Sequence, residues 1–244
     1  DGGLLMNESI RKSYGRTFEW LARNLQVEAD LCRERGGYLL TFSCDEVSAR
    51  DTFVESILHF AAGSRPMSGA AENPILNRYA TRYSRYVFDE TLRRIAQPEK
   101  VLRPVNRSSL PRSVNTTPES LWWDAFVYET QSHDGKSQLV VNLLNLPREE
   151  KITQGGNGPM TLAPGVPESE FALTLPPDYQ IRGAHLIDPF TLQVTPTEIK
   201  ANRFRLPPIN IWQVLVIDLE RQPADAPTIA QLHGPPRTVG IKRK

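Results

Sequence analysis

A chain of 244 residues with 39% hydrophobic content is long enough to bury one large core or two ordinary ones. Its 29 basic side chains nearly cancel its 28 acidic ones, leaving +1, so the global positive field that a nucleic acid or an anionic membrane would attract is missing. No apolar run approaches the roughly 18 residues that span a bilayer, and two cysteines, Cys32 and Cys44, supply neither a disulfide framework nor a metal quartet.

The chain opens on Asp1-Gly-Gly without an initiator Met, which suggests a processed or truncated chain. Gly3-Leu-Leu-Met-Asn-Glu8 is a short apolar run ending on polar groups, the pattern of a buried parallel strand that opens into a loop, with Glu8 at its end. From Thr17, a plausible N-cap, Phe18, Leu21, Ala22, Leu25, Ala29 and Cys32 recur at helical spacing until Gly36-Gly37. Tyr38 to Cys44 reads as a second strand ending in Asp45-Glu46, and a helix over about Asp51 to Ala62 closes at Gly63. Strand, helix, strand, helix is the parallel crossover unit, and it favours an α/β layer or a (β/α) barrel. Gly63 to Asn73 reads as a loop, and a long helix is expected from Pro74 to Ile95, its Tyr79, Tyr83 and Tyr86 on one face and arginines largely elsewhere.

Pro98, Pro104, Pro111 and Pro118 sit among polar residues and mark residues 98–118 as a linker. Beyond it the helical period disappears. Leu121 to Thr130, the turn chemistry of His133-Asp-Gly135, and Gln138 to Leu146 read as a hairpin. In the second strand Leu139, Val141 and Leu143 take one parity and Val140, Leu144 and Leu146 the other, so both faces should be covered. Further strands are expected at 170–175, 183–187, 190–195, 203–206 and 211–219, punctuated by prolines, which indicates an antiparallel β-sandwich over 119–221. Residues 222–244 are Pro-rich with little apolar content and read as a disordered tail ending in Lys242-Arg-Lys244.

No phosphate loop, metal spacing or nucleophile elbow is present, and the four histidines are scattered, so no cofactor or metal is expected. What remains is positional. Active sites of (β/α) barrels form at the C-terminal ends of the strands, where Glu8 and Asp45-Glu46 stand. Glycoside hydrolysis needs two carboxyl groups, one to protonate the leaving oxygen and one to attack or to activate water, and Glu8 with Asp45 or Glu46 could supply them. The plainer reading makes Glu8 a loop acid and lets Asp45-Glu46 favour the dipole of the next helix.

The succession Gly3-Leu-Leu-Met-Asn-Glu8, Gly36-Gly37-Tyr-Leu-Leu-Thr-Phe42, Leu121-Trp-Trp-Asp124, Gln138 to Leu146 and Leu206-Pro-Pro-Ile-Asn-Ile-Trp212 resembles the last part of a barrel-type glycoside hydrolase with a C-terminal β-sandwich, dextranase-like or α-amylase-like in layout. The resemblance runs over residues 1 to about 221 as an order of elements, without a catalytic signature. It implies hydrolysis of glycosidic bonds in the complete protein, with Glu8 catalytic and Asn7, Asp45 and Glu46 at the substrate. In the large retaining clan of these enzymes one catalytic Glu ends the fourth strand in an Asn-Glu pair, which Asn7-Glu8 matches in letters. By position Glu8 instead resembles the nucleophile ending the seventh strand, which would place its partner acid before Asp1 and leave this chain inactive alone.

The expected fold is thus α/β plus all-β: terminal strand and helix units of a (β/α) barrel over 1–97, the linker, the sandwich and the tail. The expected partner is an oligo- or polysaccharide, with no nucleic acid and no membrane. Non-catalytic carbohydrate binding is the alternative, because Trp122, Trp123, Trp212 and Tyr128 could stack on sugar rings if they were exposed. So is a sandwich that only braces its neighbour.

Overall fold

The computed structural model describes residues 5–7, 15–37, 39–41, 48–66, 73–105, 121–130, 135–153 and 165–235. Its first part alternates β1 (Leu5–Asn7), α1 (Phe18–Glu34), β2 (Leu39–Thr41), α2 (Ala49–Ala62), β3 (Ser64–Pro66) and α3 (Pro74–Arg82). The strands form one parallel sheet in the order β1-β2-β3. Local signals start each helix where a side chain can satisfy the first unpaired N–H groups. Thr17 accepts from the Trp20 amide, Ser48 from that of Asp51, and Asn73 from those of Ile75 and Leu76, with Pro74 in the first turn.

The apolar stripe of α1 is buried as its spacing predicts. α2 is different, since Asp51, Glu55 and His59 are buried along with its apolar residues. A helix covered on all sides has neighbours on all sides. One core joins α1, α2 and α3 to Leu39 of the parallel sheet and to Val140, Leu144, Val214 and Val216 of the antiparallel one.

That second part is a sandwich. β4 (Arg93–Arg94), β6 (Val127–Thr130), β7 (Lys136–Leu144), β9 (Tyr179–Ile187), β10 (Val194–Pro196) and β12 (Trp212–Arg221) make an antiparallel sheet ordered β10-β9-β12-β7-β6-β4. β5 (Leu102–Pro104), β8 (Ser169–Leu173) and β11 (Arg203–Leu206) make a smaller one ordered β11-β8-β5. β7 lies between β6 and β12 and is the strand whose two apolar parities required cover on both faces. Leu139, Val141 and Leu143 meet Phe171, Leu173, Phe204 and Leu206 between the sheets, while Val140, Leu144 and Leu146 join the helical core. Asn142 falls on the helical side, and its polarity is matched there: its amide donates to the Phe126 carbonyl (3.1 Å) and its oxygen accepts from Trp212 Nε1 (3.1 Å).

Three stretches differ from expectation. Ser64-Arg65-Pro66 is a third parallel strand where a loop was expected; it has no apolar run, but a strand needs none when its backbone completes a ladder, and Pro66 stands at its end, where a missing N–H is tolerated. The helix expected to run to Ile95 stops at Arg82. A 3₁₀ turn at Ser84–Tyr86 follows, and Arg93–Arg94 pairs with Tyr128 and Glu129, so the N–H groups of this stretch are taken up by the large sheet. Within the expected linker and tail, Leu102–Pro104 pairs with β8, and α4 (Ile229–His233) is an ordered helix. Low apolar content hid α4 because polar contacts hold it. Thr228 and Gln231 form a capping box, and the buried Glu129 carboxylate accepts from the Ala230 amide (2.9 Å) and the Tyr179 hydroxyl (2.8 Å). Burial pushes the Glu129 carboxyl above the usual range, against these donors.

Gly63 caps α2 with φ +78°, and a Cβ there would lie 2.6 Å from the Val87 carbonyl oxygen and inside the Arg33 guanidinium. Gly63→Ala is therefore expected to cost about 2–4 kcal/mol, from the left-handed backbone and the displaced neighbours together. Urea unfolding of the two proteins measures it; a loss below about 0.5 kcal/mol would show that the site relaxes freely.

Candidate functional site

In the parallel sheet, register aligns Asn7 with Thr41 and Thr41 with Pro66, so the C-terminal ends of β1, β2 and β3 lie side by side. Asn7 is the last residue of β1. Glu8, Asp45 and Glu46, which complete the expected site, lie outside the described residues, as does Cys44. What the structure brings together is the ends of β1 and β2, after which these acids follow in the sequence.

Beneath the exits sits a buried polar cluster that the sequence reading passed over. His59 Nδ1 lies 2.9 Å from Thr41 Oγ1 and 3.0 Å from Ser64 Oγ, and the Ser64 hydroxyl donates to the His59 carbonyl (3.2 Å). One imidazole thus ties α2 to β2 and to β3. Among the described residues its Nε2 has no hydrogen-bond partner, and the residue is wholly buried. Burial pushes His59 down to about 3, so the ring is neutral at ordinary pH. A neutral, unpartnered ring nitrogen within a core holds elements in place; it has no access to a substrate. The signal that could have found the cluster is rhythm: after two strand and helix units, a third strand is due right after Gly63.

The aromatic residues that the alternative reading would use to stack on sugars are buried. Trp122 donates through Nε1 to the Leu146 carbonyl (3.0 Å), Trp123 packs its edge on Phe171, and Tyr128 lies under the Arg33 guanidinium. Trp212 meets Tyr79 edge-on at 5.0 Å. None of the four presents a face to solvent, because each occupies an inward parity of a covered sheet or the turn leading into it. The Tyr and Arg set of α3 is likewise a packed face: Tyr79 and Tyr86 are buried and Tyr83 is half-buried, with Arg82 and Arg85 against the outer rings.

No family model matches this sequence. No curated protein matches it either. Among solved structures, a cycloisomaltooligosaccharide glucanotransferase of Paenibacillus sp., complexed with cycloisomaltoheptaose, is similar at 14% identity and a TM-score of 0.48, over 69% of this chain and 27% of that one. Alpha-L-fucosidase isoenzyme 2 from Paenibacillus thiaminolyticus is similar at 14% identity and a TM-score of 0.26, over 50% of this chain and 16% of that one. Both are named for chemistry on glycosides, and the chain spans about a quarter of the length of the first.

In the large sheet, His185 of β9 lies within electrostatic reach of Asp218 of β12. Burial pushes His185 down while Asp218 opposes it, and Asp218 accepts from Gln138 Nε2 (2.6 Å). Among the described residues no group of His, Cys, Asp and Glu is arranged to hold a metal ion, and no helix is long and apolar enough to cross a membrane.

Proposed function

We propose that this chain forms the C-terminal part of a carbohydrate-active enzyme of the (β/α)-barrel type, whose complete form hydrolyses glycosidic bonds with a pair of carboxyl groups. The observation that carries the reading is the order of the parallel sheet. Three successive strands lie side by side in chain order, each joined to the next by a helix. A doubly wound sheet reverses its strand order at a switch point, whereas a barrel adds each strand beside the last. Among the described residues β1 and β3 each pair on one edge alone, which leaves both edges available to further strands of a barrel. On this reading the parallel strands β1 to β3 with α1 to α3 belong to the barrel, and the sandwich takes in β4 and β5 as well as the strands from β6 to β12.

Glu8 follows β1 directly and takes the catalytic role, with Asn7, Asp45 and Glu46 at the substrate. Barrel chemistry is assembled where strands end, and these positions follow two adjacent strand ends. The burial of Trp122, Trp123, Trp212 and Tyr128 weighs against the rival reading of the sandwich as a stacking platform for sugars. Glu8→Gln in the complete protein is expected to lower kcat by about 10²–10⁴-fold while thermal unfolding stays where it was. Turnover within a factor of about two of the parent would take Glu8 out of the site.

A further inference from the structure

Two adjoining clefts, of about 780 Å³ and about 660 Å³, run between the C-terminal part of α1, the turn before β4 and the segment around α4. They share Arg33, Arg93, Asp225 and Gln231, so they are one groove. Four guanidinium groups line it, those of Arg33, Arg93, Arg94 and Arg221, and four carboxylates, those of Asp30, Glu34, Glu90 and Asp225. Asp30 and Arg94 pair at 2.7 Å and close one wall.

The groove keeps unused capacity of both kinds. Arg33 Nη1 and Arg221 Nε are buried donors without a hydrogen-bond acceptor, although Asp30 stands 3.8 Å from the former. Arg33 Nη2 donates to the Ala62 carbonyl (2.8 Å) and Arg221 Nη1 to that of Ala226. Arg93 is exposed and also spends its bonds on carbonyls, those of Glu90 and Leu92. On the acceptor side, Glu90 and Asp225 are exposed at the rim.

Charge then selects the class of ligand. Four carboxylates balance four guanidinium groups, so the lining as a whole favours neither an anion nor a cation. A neutral polyhydroxylated molecule is repelled by neither set, and each of its hydroxyls both donates to a carboxylate and accepts from an arginine. Each cleft by itself has a volume within the usual range for small-ligand sites. We infer that this groove binds a short neutral oligosaccharide. Reading the polyol as a sugar rests on the carbohydrate function proposed above; the match of donors and acceptors does not. Among the described residues the lining includes no aromatic ring, so hydrogen bonds in competition with water carry recognition, and the expected Kd is about 1 mM.

The test is calorimetric titration of the full chain with maltotriose, isomaltotriose and cellotriose, with sodium sulfate as the anionic probe. At least one trisaccharide should bind, and Asp225→Ala and Arg93→Ala, both at exposed positions, should each weaken it by about tenfold or more with no change in Tm. Binding of none of the three overturns the inference. So does binding that ignores both substitutions, or sulfate that binds more tightly than any sugar. The two readings separate cleanly: Glu8→Gln should leave this binding intact, and Asp225→Ala should leave turnover of a small soluble glycoside by the complete protein unchanged.

Discussion

Trp212→Ala should lower the stability of the chain by about 4–5 kcal/mol, read as a fall in the urea midpoint at nearly constant slope. The indole is buried at the start of β12, where the large sheet meets α3. Its removal opens a cavity against Tyr79, whose ring lies edge-on at 5.0 Å, and strands the Asn142 oxygen that accepted from Nε1 at 3.1 Å. Lost transfer energy and cavity together reach about 3–5 kcal/mol for a truncated aromatic, and a buried acceptor left without its donor adds about 1–3 kcal/mol before relaxation. Trp212→Phe keeps most of the volume and loses the donor, so it should cost about 1–2 kcal/mol. If the two variants were equally destabilised, the hydrogen bond and not the packing would be what joins the helical layer to the sheet.

The same residues show how far sequence alone reaches. β7 was legible because Leu and Val fill both of its parities, a pattern that only a strand covered on both faces explains, and α1 was legible because its stripe runs from a capping Thr17 to Gly36. β3 was not legible. Ser64-Arg65-Pro66 carries no hydrophobic signal, and its place in the ladder is set by β2. α4 escaped notice because its anchor, Glu129, comes from a strand far away in the chain, and no local pattern announces a buried carboxylate waiting for an amide. For the candidate site, Asn7 ends β1 beside Thr41 of β2, while Glu8, Asp45 and Glu46 lie outside the described residues. Alternation along the strands left the aromatic residues open to either face, and their burial decides for the core. Sequence alone left His59 as an ordinary helical residue, because its partners Thr41 and Ser64 meet only in three dimensions.

His59 gives the chain an acid sensitivity whose sign follows from its burial. In the unfolded chain an imidazole titrates near pH ~6.5. Folded, burial holds His59 to about 3. Between these values the unfolded state binds a proton that the folded state refuses, so stability rises with pH across the window. The contribution is fully present above pH ~6.5 and is lost as pH falls toward the folded value, a total on the order of 4–5 kcal/mol, with about 2–3 kcal/mol gone near pH ~4.5. Asp30 and Glu129 act in the opposite sense, since burial raises both carboxyls and their cost is relieved as they protonate. The net pH profile of the parent protein therefore mixes two trends, and the variant separates them. His59→Gln keeps a polar side chain beside Thr41 and Ser64 without a titrating group. It should be less stable than the parent at neutral pH, and the gap should close by about 2–3 kcal/mol on going to pH ~4.5. A gap that stays constant across that range would mean that His59 is not held neutral by the fold. A closing gap would identify the joint of α2 with β2 and β3 as a point at which acid weakens the fold.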